Sequence, residues 1–465
     1  MEGYVRERWE QEIVPLLCDY VRIPAKSPAF DPAWAEHGHL DAAAELLAAW
    51  ARTRPVAGLT VELVRLPGRT PLLLCEIPPS RPGLGTVLLY GHYDKQPEFA
   101  GWREGLAPWE PVLEDGRLYG RGGADDGYAV FGCLTAIEAL QTEGRDHGRC
   151  VVLIEGCEES GSFDLPPYLD HLAGRIGTPE LVVCLDAECG NYDQLWLTTS
   201  LRGMLPGVLT VEVLTEGVHS GLAGNIVPSS FRHLRALVER VEDALTGELR
   251  DVLQVQIPQW ARDQAAAAAA VLGDGVLERF PWVAGPPEGL TPLDALVANT
   301  WQPSMATVGL SGAPEAGDAG NVLRPETRAK LVFRLPPSLD AEAAAAQVKA
   351  LLEADPPPGA RVRFDVEHPQ TGWYAPPLAP WLEEAVQAAS RRWFGPPAMA
   401  MGCGGTIPVM KMLGDRFPGV QFLVTGVLGP HSNAHGPNEF LHLETARRLT
   451  GCVADVLEAH ATRSA

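Results

Sequence analysis

Two kinds of apolar run alternate along the first 190 residues of this chain. Residues 4–22 set Tyr4, Val5, Trp9, Ile13, Leu16, Leu17, Tyr20 and Val21 at helical spacing, and a second such stretch covers about 40–53. Between and after them lie short runs that predict strands: 60–66, 72–77, and Val87-Leu88-Leu89, which breaks at Gly91 into His92 and Asp94. Residues 127–140 read as a helix. Strands and helices in alternation predict a mostly parallel sheet with helices on both faces. Near residue 199 the pattern changes. Residues 205–214 alternate like a half-exposed antiparallel strand, and 229–245 form an amphipathic helix capped by Ser229 or Ser230. Further strands are expected at 307–310 and 329–335, and further helices at 341–352 and over the alanine run 265–270. The earlier pattern then resumes with a helix at 378–393, a Gly-rich loop at 402–405, a strand at 421–427 and a helix at 444–459. The expected fold class is α/β. Residues 1–199 and 375–465 build the main domain, and 200–374 form an inserted α+β domain.

At 465 residues the chain exceeds what one hydrophobic core serves, which favours two domains. The net charge is −22, from 59 acidic and 37 basic residues. That balance argues against nucleic acid or an anionic membrane as partner, since phosphate needs a basic surface. Nine cysteines include no C-x-x-C pair, and Cys75, Cys133, Cys150 and Cys184 sit in apolar runs. They are expected to be buried, reduced thiols. The first residues lack an apolar signal core, and no apolar run approaches the roughly 20 residues of a membrane span. The expected location is cytoplasmic.

Candidate chemistry recurs where strands end. His92 and Asp94 follow one apolar run, Glu158-Glu159 follow 151–154, and Asp186 follows 181–185. Asp125-Asp126 follow the turn Gly120-Arg121-Gly122-Gly123, and His435 follows 422–427 and a Gly/Pro loop. Open α/β sheets keep their sites at such carboxyl ends. Two His, two Asp and a Glu fill the shells of two metal ions, with one Glu left as a base. Each feature alone has a plainer explanation. Adjacent acids at a strand end are usually a solvated turn, and an Asp pair before a helix is a common cap. Side chains of neighbouring residues point apart, so one of Glu158 and Glu159 can ligate while the other faces a metal-bound water as general base. One carboxylate of the Asp pair can bridge two cations. In the loop 429–439, His431 and His435 are equal candidates. Most of the twelve His, such as His37, His147 and His460, are expected at the surface.

Together the segments resemble the metallopeptidase family of carnosinase-type dipeptidases, carboxypeptidase G, aminoacylase and acetylornithine deacetylase. The matching stretches are Gly91-His-Tyr-Asp-Lys-Gln-Pro97, Gly120-Arg-Gly-Gly-Ala-Asp-Asp126, Glu155-Gly-Cys-Glu-Glu-Ser-Gly161 and Ala434-His-Gly-Pro-Asn-Glu439. They occur in the family's order over nearly the whole chain, and their form is most similar to the carnosinase-type dipeptidase branch. The resemblance implies two divalent ions per subunit, Zn2+ ahead of Mn2+ or Co2+. It implies His92, Asp125, Glu159, Asp186 and His435 as ligands, with Asp125 bridging. Glu158 becomes the base for a metal-bridging water, and Asp94 the partner of His92. His435 is preferred to His431 because Asn438-Glu439 follow it at the family's offset. Val218-His219-Ser220-Gly221 resembles the segment whose His enters the partner subunit's site and polarises the scissile carbonyl. A homodimer is therefore implied, with 200–374 as lid and dimerisation domain.

Arg334, and Gly405 with Thr406 in Gly404-Gly-Thr-Ile-Pro408, match groups that hold the substrate carboxylate, and Asn321 matches a substrate contact. A guanidinium suits that bidentate task. Two departures stand out. Gly127-Tyr128 replaces the family's Lys-Gly, and Glu188 competes with Asp186 for the metal. The implied reaction is hydrolysis of an amide bond beside a free carboxylate, in a small peptide or N-acyl amino acid. An N-acyl-amino-acid deacylase or a carboxypeptidase is the nearest alternative. A two-metal phosphoesterase is disfavoured because few cations besides Lys95, Arg103 and Arg121 lie near the ligand segments. A non-catalytic binding protein would be expected to lack Glu158 or a ligand.

Overall fold

The computed structural model describes residues 1–463. Helical residues Glu2–Arg8, a π-turn at Trp9–Ile13 and Val14–Val21 open the chain and bury Val5, Trp9, Ile13 and Leu17. Then come α1 (His39–Arg52), β1 (Thr60–Val64), β2 (Leu72–Ile77), β3 (Thr86–His92) and α2 (Ala129–Thr142). β4 (Arg149–Glu155), β5 (Pro179–Cys184), β6 (Trp196–Leu201) and β7 (Gly203–Glu212) follow. α2 is buried from Ala129 to Leu140, and its one buried acid, Glu138, is paired with Arg8 at 3.0 Å. After β7 come α3 (Ser230–Val238), α4 (Gln259–Leu272), α5 (Gly275–Glu278), α6 (Pro292–Trp301), β8 (Ser304–Ser311) and β9 (Glu326–Leu335). The rest is α7 (Ala341–Glu353), β10 (Arg361–Val366), β11 (Trp373–Tyr374), α8 (Pro380–Trp393), β12 (Met399–Cys403), β13 (Gln421–Val424) and α9 (Leu443–Thr462).

The central sheet has the order β1-β2-β4-β3-β5-β13. β1, β2 and β4 pair antiparallel, whereas β4, β3, β5 and β13 run parallel. This is the mixed α/β fold expected. β3 lies between β4 and β5, with His92 opposite Glu155 and Tyr90 opposite Cys184. The chain thus leaves three adjacent strands at one edge, releasing His92, the 156–159 turn and Asp186 side by side.

A second sheet, β8-β9-β7-β10, is wholly antiparallel and carries α3 and α7 against it. From Thr327 to Leu335 every second residue of β9 is buried, the period of a sheet covered on one face. A third sheet, β11-β6-β12, holds α4 and α6 against β12. Within the stretch 200–374, α4 and α6 thus pack on the third sheet and not on the second. Where the chain passes between sheets, Gly203 and Gly372 meet backbone to backbone: a Cβ on Gly372 would lie 2.6 Å from Leu201 O and 2.8 Å from Gly203 N.

Two expectations need correcting. The helix expected over 229–245 stops at Val238, because Arg250 Nη2 donates to Glu239 O at 2.5 Å and Asp243 Oδ1 accepts from Leu245 and Thr246 N–H. A short acid that captures backbone donors gives the chain an alternative to helix. His147 and His460 are buried. His147 Nδ1 lies 2.8 Å from Gly148 O, while His460 Nε2 meets Glu180 Oε2 at 3.1 Å and its ring stands edge-on to Trp381. No described helix is long and apolar enough to cross a membrane, and the nine cysteines are free, eight of them buried.

Candidate metal centre

Beyond the edge where β3, β4 and β5 end, the structure brings together five of the sequence candidates. His92, Asp125 and Asp186 form one group of donor atoms, and Asp125, Glu159 and His435 form a second, each within 4.8 Å. Asp125 belongs to both. Its Oδ1 lies 3.2 Å from His92 Nε2 and its Oδ2 lies 3.1 Å from His435 Nε2. Asp186 Oδ1 is 3.8 Å from His92 Nε2, and Glu159 Oε2 is 3.4 Å from His435 Nε2. Neither Glu158 nor Glu188 contributes to these groups.

Local chemistry explains how each side chain arrives. At Gly91 any Cβ would stand 2.5 Å from Ala129 Cβ and 2.7 Å from Asp126 Oδ2, so only glycine lets the Asp pair approach β3. Asp94 sits behind His92. Its Oδ1 lies 3.4 Å from His92 Nδ1 and accepts from Glu158 N at 3.1 Å, while Oδ2 accepts from Glu159 N at 3.0 Å. His92 Nδ1 is closest to the Asp94 backbone O, at 3.1 Å, so residue 94 orients the imidazole through its carbonyl and its carboxylate, and the Glu turn through the carboxylate. The loop bearing His435 uses left-handed backbone at His431, Asn433, His435 and Asn438, residue types that tolerate it. That loop is tied down by buried Glu439, which accepts from Arg121 Nη1 at 2.6 Å and from Gly122 N at 2.9 Å. His435 is thereby fixed to the turn that leads into Asp125.

The electrostatics mark a site built for cations. Burial, then Asp186, pushes Glu158 well above the usual carboxylate range. Burial, then Asp125, raises Glu159 to about 8, and burial also raises Asp126 and Asp186. Burial alone would lower the two imidazoles. Asp186, Asp125 and Asp94 outweigh it at His92, and Glu159 with Asp125 raises His435 to about 9. At Asp125 burial opposes ionisation, yet contacts from both imidazoles hold its carboxyl below the usual range. Buried acids in excess, balanced only by protonated His, are relieved when divalent cations take the protons' place. Mixed imidazole and carboxylate donors fit Zn2+ or a similar ion. The residues present therefore suit two divalent cations.

A second polar group lies where the second and third sheets meet. Arg334 Nη1 donates to Thr406 Oγ1 at 2.9 Å, and Thr406 Oγ1 donates to Arg202 O at 2.6 Å. Gly405 N donates to Cys403 Sγ at 3.2 Å. Burial lowers both guanidiniums, Arg202 to about 10. His219 and Asn321 lie elsewhere. His219 pairs with Val322 and Ser220 N donates to Asn321 O, just before β9 begins, whereas Arg334 sits at its far end, eight residues or about 26 Å along the strand. His219 Nδ1 accepts from Gly221 N and Leu222 N at 3.1 and 3.3 Å, which leaves the proton on Nε2. Sequence reasoning missed Gln96, whose Nε2 donates to Glu159 Oε2 at 2.6 Å, and Arg202. Gln96 lay inside a quoted motif two residues from Asp94, while Arg202 had no local signal.

The model of peptidase family M20/M25/M40 matches residues 88–459. A cysteinylglycine-S-conjugate dipeptidase of Corynebacterium striatum is 28% identical over 360 residues, covering 76% of each chain. Human carnosine dipeptidase 1 superposes with a TM-score of 0.79 at 23% identity, over 99% of this chain and 98% of that one. A metallo-carboxypeptidase of Sulfolobus solfataricus superposes with a TM-score of 0.76 at 19% identity, over 97% of this chain and all of the other.

Proposed function

The chain belongs to peptidase family M20/M25/M40 and is a metallopeptidase, and from that premise we propose that it hydrolyses dipeptides or short peptides ending in a free carboxylate. The observation that carries this reading is Asp125, whose two oxygens face different imidazoles, each with its own further carboxylate. His92, Asp125 and Asp186 would hold one divalent cation, and Asp125, Glu159 and His435 a second, with Zn2+ the best match to the donors. When bound, such cations polarise the scissile carbonyl and acidify water.

The chain's own residues supply the rest. Glu158 stands free of both ligand groups, so its carboxylate takes the proton of the attacking water and returns it to the leaving amine. Asp94 is a positioning residue that orients His92 and the Glu158-Glu159 turn. Arg334 holds the substrate's carboxylate and sets the scissile bond in register, and the Thr406 hydroxyl and the Gly405 N–H join it by exchanging Arg202 O and Cys403 Sγ for the substrate's oxygens. Asn321, whose O accepts from Ser220 N beside His219, would meet substrate in the site of a second copy. His219, remote from its own chain's centre, acts in the site of a second copy, where its Nε2–H donates to the carbonyl oxygen as charge develops. A homodimer is supported by exposed Leu222 and Ile226 beside His219 and by β8, an edge strand that exposes Val308 and Leu310. In this reading 1–199 with 375–465 form the catalytic domain and 200–374 the lid and dimerisation domain. The free cysteines support a cytoplasmic location.

Chelation followed by reconstitution with Zn2+, Mn2+ or Co2+ tests the proposal on a panel of dipeptides, tripeptides and N-acyl amino acids. Activity should vanish and return with metal. Glu158→Gln should stop turnover while about two metals per chain remain bound. Loss of metal in that variant, or turnover indifferent to chelation, would overturn the assignment.

A further inference from the structure

We propose that the cavity of about 330 Å3 beside the metal centre is a specificity pocket for an ammonium group on the residue that supplies the scissile carbonyl, with Glu188 as its counter-ion. This rests on the peptidase reading above and adds what the enzyme selects.

Its position follows from three segments already described. Glu188, which lines the cavity, lies two residues past Asp186, at most about 7 Å along the chain. Pro430 and His431 come from the loop that ends in His435, and Met401 and Gly402 from the end of β12, just before Gly405 and Thr406. The outer wall is built by α4, α5 and α6, the helices that leave the second sheet to pack on the third. The cavity is walled by the segments that carry the candidate metal and carboxylate groups, and Asn299 in its wall abuts the Gly-rich loop, since a Cβ on Gly404 would overlap Asn299 Oδ1. Its volume suits one amino-acid residue.

Its chemistry selects charge. Three acids, Glu188, Asp193 and Glu278, and one guanidinium, Arg279, line the cavity. Arg279 Nη2 stands 3.9 Å from Glu188 Oε1, close enough to attract but beyond hydrogen-bond reach, and among the described residues no donor holds the Glu188 carboxylate. A substrate cation can therefore take it without breaking a bond. Val276, Leu296 and Met401 provide apolar wall for the methylenes that carry the charge. The ammonium can be the α-amine or the end of a basic side chain, and the two sources are separable.

With metal-loaded enzyme, kcat/KM is measured for hexanoyl-glycine, norleucyl-glycine and lysyl-glycine, which carry no amine, an α-amine, and both amines. Glu188→Gln should narrow the preference for an amine by at least tenfold, mainly through KM, and Arg279→Gln should widen it. Loss of the norleucyl over hexanoyl preference assigns the α-amine, and loss of lysyl over norleucyl the side chain. A preference unchanged within twofold in Glu188→Gln overturns the proposal. Thermal unfolding with n-butylammonium chloride, against n-butanol as control, gives a second readout. Stabilisation by the cation that Glu188→Gln abolishes would support the pocket even if no peptide were cleaved, in which case the peptidase reading alone fails. An active wild type with no Glu188-dependent stabilisation and no altered preference would remove the pocket and keep the peptidase.

Discussion

Asp94 offers the sharpest test of how the centre is held. Its carboxylate is fully buried, lies 3.4 Å from His92 Nδ1, and accepts from the N–H groups of Glu158 and Glu159. Asp94→Ala leaves those two donors without a partner and leaves the imidazole only the backbone O of residue 94, 3.1 Å from its Nδ1. An orphaned buried donor costs about 1–3 kcal/mol. The Glu158-Glu159 turn is only half-buried, so water can reach it, and a loss of about 2 kcal/mol is expected for the pair. The imidazole adds a separate effect, since removing the partner behind a ligating His lowers metal affinity 10–100-fold, about 1.4–2.7 kcal/mol. Asp94→Asn keeps one acceptor but turns an amide donor toward another donor, so it should repair little of either loss. Metal affinity is read by competition with a chromophoric chelator, and stability by urea unfolding of the metal-free protein. Affinity within threefold of wild type in both variants would refute the role given to Asp94. A stability loss without an affinity loss would assign it to the turn alone.

Other consequences can be checked as directly. His219→Ala and Glu158→Gln should each be inactive, but dimers mixed one to one should regain about a quarter of wild-type activity, since half are hybrids with one intact site in two; no regain would sink the shared site. Arg334→Met should raise KM for free dipeptides far more than for dipeptide amides, by about 100-fold, and equal losses on both would remove its carboxylate role. Burial, and next Arg463, lowers His460 from 6.5 to about 4, so its ring stays neutral in the fold while the unfolded chain takes up a proton below 6.5. Stability is then complete above about pH 6.5 and falls as pH drops toward 4, by up to about 3 kcal/mol. His460→Gln should flatten that slope in urea titrations across pH 4–7, and an unchanged slope would show that other groups cause it.

Much of the architecture was legible because apolar periodicity is a local property. β3, α2, β4 and β5 follow from runs a few residues long. The errors fall where distant groups decide. α3 ends early because Arg250 and Asp243 intercept its backbone, and no helical pattern reports that. His147 and His460 looked like surface residues because a histidine's burial depends on what Gln141 and Glu180 bring to it from elsewhere. That helices 259–301 pack on the third sheet was not legible either, because amphipathicity says that a face is covered, without saying by what.

By itself the sequence determined which groups stand ready at the ends of which strands: His92, the Glu158-Glu159 pair and Asp186 are there because apolar runs stop just before them. Tertiary structure alone decided that Asp125 faces one imidazole with each oxygen, that Glu439 and Arg121 pin the His435 loop to its turn, and that Glu188 lines a cavity and stays out of the ligand groups. The physical reason is range. Where a strand ends is set by neighbours along the chain, whereas which oxygen meets which nitrogen is set by register between strands and by contacts hundreds of residues apart.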